Sequence, residues 1–204
     1  MEQISGAAKE RLLHLLRILE HRAGEPVTSA GIEALTGWPS NTIRKDISCL
    51  GGDGEAVGSS SGYAPELLLP AIKKALGLEK RRKFCVVGLG RLGSAYLNIG
   101  APDLGEFELV AGFDTNVNRT EILKSPVPLY PAYKMGEVIG RFGIEMALLC
   151  VPPEAAQAAA EKLAASGIRG IVNFAPAALK LPPEIPVRNV YVTDELRSLA
   201  IRMI

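Results

Sequence analysis

Apolar residues recur at helical spacing through the first eighty positions and then gather into short, strand-length runs. Leu12, Leu13, Leu16 and Leu19 form a stripe that predicts a helix over residues 5–21. After Gly24-Glu25-Pro26, Ser29 is placed to cap a short helix reaching Leu35. Gly37-Trp38-Pro39 then breaks the chain, and Ser40 or Asn41 caps a second short helix reaching Leu50. Residues 51–62 are dense in Gly and Ser and read as an exposed hairpin or a loose loop. An amphipathic helix over 65–78 ends at Gly77 and the cluster Lys80-Arg81-Arg82-Lys83, where we place the domain boundary. From Phe84 the period changes. Strands are expected at 83–88, 107–113, 144–151 and 170–173, with a last short one near 187–191, and helices fall between them. The clearest helix is the alanine-rich stretch 153–166, with proline at its start. The tail, 193–204, predicts a helix with Leu196, Leu199 and Met203 on one face. Alternating strands and helices imply a doubly wound parallel sheet with its ligand at the carboxyl ends of the strands.

One strand carries more information than the rest. Phe84-Cys85-Val86-Val87 runs directly into Gly88-Leu89-Gly90-Arg91-Leu92-Gly93, a GxGxxG turn. Its glycines allow a tight turn, close approach of backbone to a pyrophosphate, and close packing of helix on strand. The helix beginning near Leu92 would aim its N-terminal amides at that pyrophosphate. Asp114 lies 21 residues past Gly93, at the end of the next strand, where such folds place the carboxylate that binds a ribose 2′-OH. A carboxylate there favours NAD over NADP because it repels a 2′-phosphate; Asn116 and Arg119 lie just beyond and bear on that choice. Thr115 adjoins Asp114. Val151-Pro152 ends a strand at the ligand edge and is expected to touch the cofactor, with Asn173 and Phe174 at the end of the following strand.

Residues 29–50 have the proportions of a helix-turn-helix. The second helix starts Ser40-Asn41-Thr42-Ile43-Arg44-Lys45, with small polar and basic groups where a recognition helix meets base edges and phosphates. Ile43, Ile47 and Leu50 share one face and would anchor it, leaving Asn41, Thr42, Arg44 and Lys45 outward. Residues 1–83 hold 12 Lys and Arg against 10 Asp and Glu. That balance is feeble for a duplex-binding module, so an ordinary three-helix interaction domain with a solvated charged face stays open.

Bulk properties narrow the class. The 204 residues are 48% hydrophobic and 22% charged, with a formal net charge of +1, as expected of a soluble globular protein with a substantial core. Cys49, Cys85 and Cys150 are scattered without a CxxC or a nearby His, which suits a reducing cytoplasm and argues against a metal site. Cys150, beside the ligand edge, reads as an inert strand thiol more readily than as a redox switch. No apolar run approaches a membrane span, and no secretory h-region opens the chain. His14 and His21 are the two histidines, and none lies beyond the glycine turn. A hydride-transfer enzyme needs a positioned acid or base, so catalysis is disfavoured.

The order of the parts resembles the Rex family of redox-sensing transcriptional repressors. The most specific pieces are Thr42-Ile43-Arg44-Lys45-Asp46, the turn Val87 to Gly93, and Val110-Ala111-Gly112-Phe113-Asp114. Val151-Pro152, Ala155-Ala156-Gln157, the stretch Gly167 to Pro176 and the final Glu195-Leu196 also match. The resemblance implies an N-terminal winged-helix DNA-binding domain over 1–80, a Rossmann-like NAD(H)-binding domain over 81–192, and a C-terminal helix over 193–204 swapped in a homodimer. It implies DNA contacts from Ser40, Asn41, Thr42, Arg44 and Lys45. It implies a pseudo-palindromic operator held when NADH is scarce and released when NADH replaces NAD, with no hydride transferred. In the family, Phe174 lies near the nicotinamide end.

Three departures bear on DNA binding and its coupling. The family's wing usually has a Lys-Arg pair, where this chain has Glu55-Ala56 within Gly54 to Tyr63. Losing two phosphate contacts flattens the salt dependence by roughly two units of slope. Tyr191 stands where the family's last helix opens with Asp, and His14 and leucines replace tyrosines of the first helix. A nucleotide-binding regulator acting through protein partners is therefore the alternative reading, with an oxidoreductase behind it. A related Rossmann variant holds coenzyme A at the same turn.

Overall fold

The computed structural model describes residues 4–21, 24, 26–50, 58–59, 62–100 and 104–203. It divides into two compact units, Met1–Lys80 and Arg81–Ile204.

In the first unit, helix α1 spans Gly6–Glu20, opened by the Ser5 hydroxyl accepting the Ala8 amide at 3.3 Å. Its buried face is Ala8, Leu12, Leu15, Leu16 and Leu19. Leu13, expected in that stripe, is 46% exposed, because its direction lies about 100° from Leu12 on the helix. Helix α2, Ser29–Thr36, is capped by Thr28 and not by Ser29. Thr28 has the extended backbone a cap requires, and its hydroxyl accepts the Gly31 amide at 3.0 Å. Gly37 ends α2 at φ +73°.

Helix α3, Ser40–Ser48, corrects a second expected cap. Pro39 occupies that position, and Ser40, already helical, donates its amide and hydroxyl to the Glu33 carboxylate of α2. Ile43 and Ile47 are buried and Leu50 is half-buried, as their periodicity predicts. Strands β1 (Gly58–Ser59) and β2 (Gly62–Tyr63) pair antiparallel, and Tyr63 exchanges two backbone hydrogen bonds with Val27 at 2.9 and 2.8 Å. Helices α2 and α3 followed by this small sheet are a winged helix. Glu55 and Ala56 lie outside the described residues. Helix α4, Pro65–Leu76, closes the unit with Pro at its first position and Gly77 at its end. Leu68 and Ile72 complete a core with Leu12, Leu16, Leu19, Ile32 and the α3 isoleucines.

The second unit holds strands β3 (Arg82–Val87), β4 (Phe107–Asp114), β5 (Leu129–Pro131), β6 (Met146–Leu149), β7 (Gly170–Asn173) and β8 (Val187–Asn189). They form one parallel sheet in the order β5-β4-β3-β6-β7-β8. That is the Rossmann order, with its topological switch between β3 and β6. Helices α5 (Arg91–Tyr96), α6 (Val117–Ile122), α7 (Met135–Phe142) and α8 (Pro153–Ala165) alternate with the strands. Strand alternation sends Cys85 and Val87 to the face covered by α7 and α8, and Phe84 and Val86 to the face shared with Leu89 and Leu97. Strand β5 went unanticipated, since three residues ending in proline present no period. Helix α9, Val192–Ile201, buries none of its residues.

A bidentate ion pair joins α1 to α3. Arg11 Nε and Nη2 donate to Asp46 at 2.6 and 2.8 Å, with the Asp46 side chain 10% exposed. Asp46→Ala strands the guanidinium, and we expect the first unit to lose about 1–3 kcal/mol. Urea unfolding of the full chain followed by Trp38 fluorescence measures this. A loss under about 0.5 kcal/mol would rank the pair with ordinary surface salt bridges.

Candidate nucleotide site and helix-turn-helix surface

The glycine turn at the switch point is shaped by contacts that exclude a side chain. Gly88, at φ +89°, sits so that an added Cβ would lie 2.7 Å from the Cys150 carbonyl oxygen on the far side of the switch. At Gly93 a Cβ would fall 1.8 Å from the Gly88 oxygen, so the helix can approach the turn only with glycine there. Gly90 differs from both. A Cβ on it would meet nothing within 4 Å, and the residue faces a cavity of about 750 Å³. Its smallness serves whatever enters that space, which is what backbone approach to a pyrophosphate requires.

Of the residues expected to hold a cofactor, Gly88, Gly90, Asp114, Thr115, Val151 and Pro152 line this cavity together. Leu89, Arg91, Leu92 and Gly93 do not line it. Leu89 is buried and joins through its amide, whereas Arg91 and Leu92 are exposed. Asn173 and Phe174 also stand off the cavity. Phe174 packs its ring on Tyr96 of α5, with centroids 5.0 Å apart. The opposite wall comes from α8, where Ala155, Ala159 and Lys162 recur at helical spacing. That spacing was readable, but only the fold shows that this face of α8 lines the same cavity as the turn.

Asp114 is the electrostatic centre of the site. Its side chain is 5% exposed, and Oδ2 accepts the Leu89 amide at 2.7 Å and Arg119 Nη1 at 3.0 Å. Oδ1 accepts the Asn116 amide at 2.8 Å. Burial by itself would raise this carboxyl, but the Asn116 and Leu89 amides and the Arg119 guanidinium outweigh it and hold the group below the usual carboxylate value. The carboxylate therefore clamps the glycine turn to the end of β4 before any ligand arrives.

Near the carboxyl end of β7, Asn173 is fully buried. Its Nδ2 reaches the Ala177 carbonyl and Asn189 Oδ1 at 3.0 Å each, and its Oδ1 accepts the Ala175 amide at 3.0 Å. The Tyr191 hydroxyl lies 3.1 Å from that Nδ2 and donates to the Ala177 carbonyl at 3.1 Å. Tyr191 thus ties the segment after β7 to the residue preceding α9. Gln157, one of the family-like positions on α8, exchanges hydrogen bonds with both backbone groups of Lys180 at 2.8 and 2.9 Å.

Burial pushes the Cys85 and Cys150 thiols up to about 12. Both are protonated at neutral pH, so Cys150 lines the cavity as an unreactive thiol. Among the described residues no cluster of His, Cys, Asp or Glu could hold a metal ion, and no helix is long and apolar enough to cross a membrane.

In the first unit, Asn41, Arg44 and Lys45 are exposed on α3, while Ser40 and Thr42 are half-buried. The Ser40 side chain is engaged by Glu33, and Asn41 Oδ1 accepts the Thr42 amide at 2.8 Å. Lys45 lies on the face opposite Ile43 and Ile47, with Arg44 on the flank between them.

A winged helix and a Rossmann-type domain with a formed nucleotide cavity, carried on one chain, define a ligand-sensing helix-turn-helix protein. Comparison with known proteins specifies which. Residues 79–177 match the family model described as CoA binding domain. The redox-sensing transcriptional repressor Rex of Thermus thermophilus is 39% identical over 193 residues, spanning 92% of this chain and 88% of that protein. Rex of Levilactobacillus brevis is 31% identical over 201 residues, or 97% of this chain and 93% of that one. The crystal structure of RSP, a Rex-family repressor, superposes with a TM-score of 0.83 at 30% identity, covering 100% of this chain and 96% of RSP. RSP in complex with β-NAD+ and operator DNA gives 0.84 at 29% identity over 98% and 92% of the two chains. The chain belongs to the Rex family of redox-sensing transcriptional repressors.

Asp114→Asn tests the clamp. The folded carboxyl titrates below its ordinary 3.8, so its contribution is complete above that pH and disappears as pH falls beneath it. We expect the variant to be less stable by about 1–3 kcal/mol at pH 7, with the gap closing below roughly pH 4. Thermal unfolding of both proteins across that range reads it, and a gap independent of pH would contradict the assignment.

Proposed function

We propose that this protein is a homodimeric repressor that holds operator DNA through α3 and releases it when NADH replaces NAD in the Asp114 cavity. The carrying observation is the nucleotide cavity at the switch point on a chain whose other unit is a winged helix, together with similarity along the whole length to RSP, solved both with β-NAD+ and operator DNA and with β-NADH. Release is then a population shift, driven by unequal affinity of the two nucleotides for two arrangements of the dimer.

The residues divide by task. Gly88, Gly90, Asp114, Thr115, Val151 and Pro152 hold the adenosine and pyrophosphate. Arg91 and Leu92 open α5 within the turn and are exposed, and Asn173 and Phe174 serve the nicotinamide end. Asn41, Thr42, Arg44 and Lys45 read or grip DNA, and Ser40 positions the start of α3. NAD or NADH supplies a redox-dependent charge and ring shape at the nicotinamide. The residues of this chain bind and orient it, and no hydride moves. The titratable groups lining the cavity are Asp114, Arg119, Lys162 and Cys150. Asp114 is spoken for by three donors and Cys150 is protonated, so the sensor reading is preferred to an enzyme.

Dimerisation accounts for α9. Val192, Leu196 and Leu199 form one stripe, exposed by 71%, 59% and 57%. Swapped onto the partner subunit, this stripe would be covered, and Tyr191 would pass the state of the Asn173 segment to the helix. Residues 193–204 are therefore treated as an exchanged element, 1–80 as the DNA-binding domain and 81–192 as the sensor. A DNA-binding role puts the protein in the cytoplasm.

Fluorescence anisotropy on palindromic operator DNA tests the function. NADH is expected to weaken binding by about tenfold or more relative to NAD. Lys45→Ala should weaken binding on all sequences and lower the salt slope by roughly one. Absence of specific binding in every nucleotide state would favour the alternative regulator that works through protein partners, consistent with Glu55 and Ala56 in place of the wing cations. In light scattering the wild type should be a dimer, and a Leu196→Asp/Leu199→Asp variant a monomer. An unchanged dimer would remove α9 from the interface.

A further inference from the structure

We infer that the aromatic pair Tyr96–Phe174 is the redox discriminator of the sensor, a wall that accepts the neutral ring of NADH and disfavours the charged ring of NAD. The inference deepens the sensor reading and rests on it. A dinucleotide lies across a topological switch point with one nucleotide on each side. Asp114 ends β4, on one side of β3. An adenosine held there leaves the nicotinamide to the ends of β6 and β7, on the other side. The aromatic pair stands at those ends. Phe174 follows β7, and its amide donates to the Leu149 carbonyl of β6 at 2.9 Å. Tyr96 closes α5, the helix that starts in the glycine turn, and its ring centroid lies 5.0 Å from that of Phe174.

The groups packed with the pair are uncharged. Tyr96 and Cys150 pack against one apolar cluster, which includes Val86, Leu89 and Leu97. Burial raises the Tyr96 hydroxyl above its ordinary value and the Cys150 thiol to about 12, so both are neutral at pH 7. Leu92, one turn back along α5, is exposed and adds an apolar side chain on the same side of the helix. Cys150 also lines the Asp114 cavity, so the uncharged surface continues from the cavity to the pair. The nicotinamide of NAD is a pyridinium with a full positive charge, whereas the dihydronicotinamide of NADH is neutral. Losing water against such groups costs the charged ring far more than the neutral one. Aromatic faces return part of that cost through cation–π attraction. Tyr96 and Phe174 spend that capacity on each other, since their rings already meet at a tilt of 40°. Desolvation therefore decides the sign, in favour of NADH.

Calorimetry on the full-length protein tests this with NADH, NAD and ADP-ribose, which lacks the nicotinamide ring. Wild type should bind NADH about tenfold or more tightly than NAD. Tyr96→Asn brings a polar group and water to the ring, and should cut that preference by about tenfold. Tyr96→Phe should keep it within about threefold. In both variants ADP-ribose should bind within about threefold of wild type, which shows an intact Asp114 cavity. The emission of NADH bound to wild type gives a reading that needs no substitution. It should be enhanced and blue-shifted from its value in water, as for a ring in apolar surroundings. Should Tyr96→Asn lose ADP-ribose, the wild-type preference and this emission decide alone. With both dinucleotides bound, three results each overturn the inference and leave the sensor reading standing: equal wild-type affinities, an unshifted emission, or a preference that Tyr96→Asn leaves unchanged. A loss of NAD affinity beyond that of NADH in Tyr96→Asn assigns the pair to cation–π attraction and overturns it as well. Failure of all three ligands to bind wild type overturns both.

Discussion

The second unit depends on one close approach of backbone to backbone. At the switch between β3 and β6, the turn at Gly88 passes so near the Cys150 carbonyl that no side chain fits, and α5 descends onto the turn at Gly93 within less than a Cβ contact. A polypeptide makes this approach only with glycine, and only if the strands on either side are in register. The parallel pairing of Val87 with Leu149 and with Phe113 supplies that register. Asp114 then secures the turn by taking the Leu89 amide. Cavity, carboxylate and glycine turn are consequences of one packing arrangement.

The same carboxylate that stiffens the turn also lines the cavity. Bound by two amides and an arginine, it is a structural clamp as well as a wall of the cavity. The winged helix repeats the pattern on a smaller scale. Asp46, on the helix that presents Arg44 and Lys45, is committed to Arg11 of α1, so an acid beside the candidate DNA surface is neutralised and the helix is fixed against its support. In both units a buried carboxylate positions an element: the glycine turn in one, α3 in the other.

Much of this was legible in the residues. The glycine turn, Asp114, the helix-turn-helix and the main strands are local patterns, set by spacing and by the conformational freedom of glycine. What was misread has local causes too. Leu13 belongs to no buried stripe because the contact face of α1 is decided by α3 and α4. The caps at Thr28 and Pro39 sit one residue ahead of those expected, because the backbone before each helix is extended there and Ser40 bonds Glu33 instead. Strand β5 has too few residues to show a period.

Chain order and periodicity determined that a small helical unit precedes a doubly wound sheet, and that the turn at residues 88–93 and the acid at 114 belong to one site. Only the tertiary structure decided how that acid is used. Asn116 and Arg119 donate to it from two and five residues on, but the Leu89 amide comes from the glycine turn 25 residues earlier, and spacing cannot reveal that these donors converge on one buried carboxylate. It also decided that Tyr191, just before the last helix, joins Asn173 and that α8 walls the cavity with Lys162. Sequence specifies the elements because their propensities are local; contacts between distant elements arise only when the sheet has formed and brought them together.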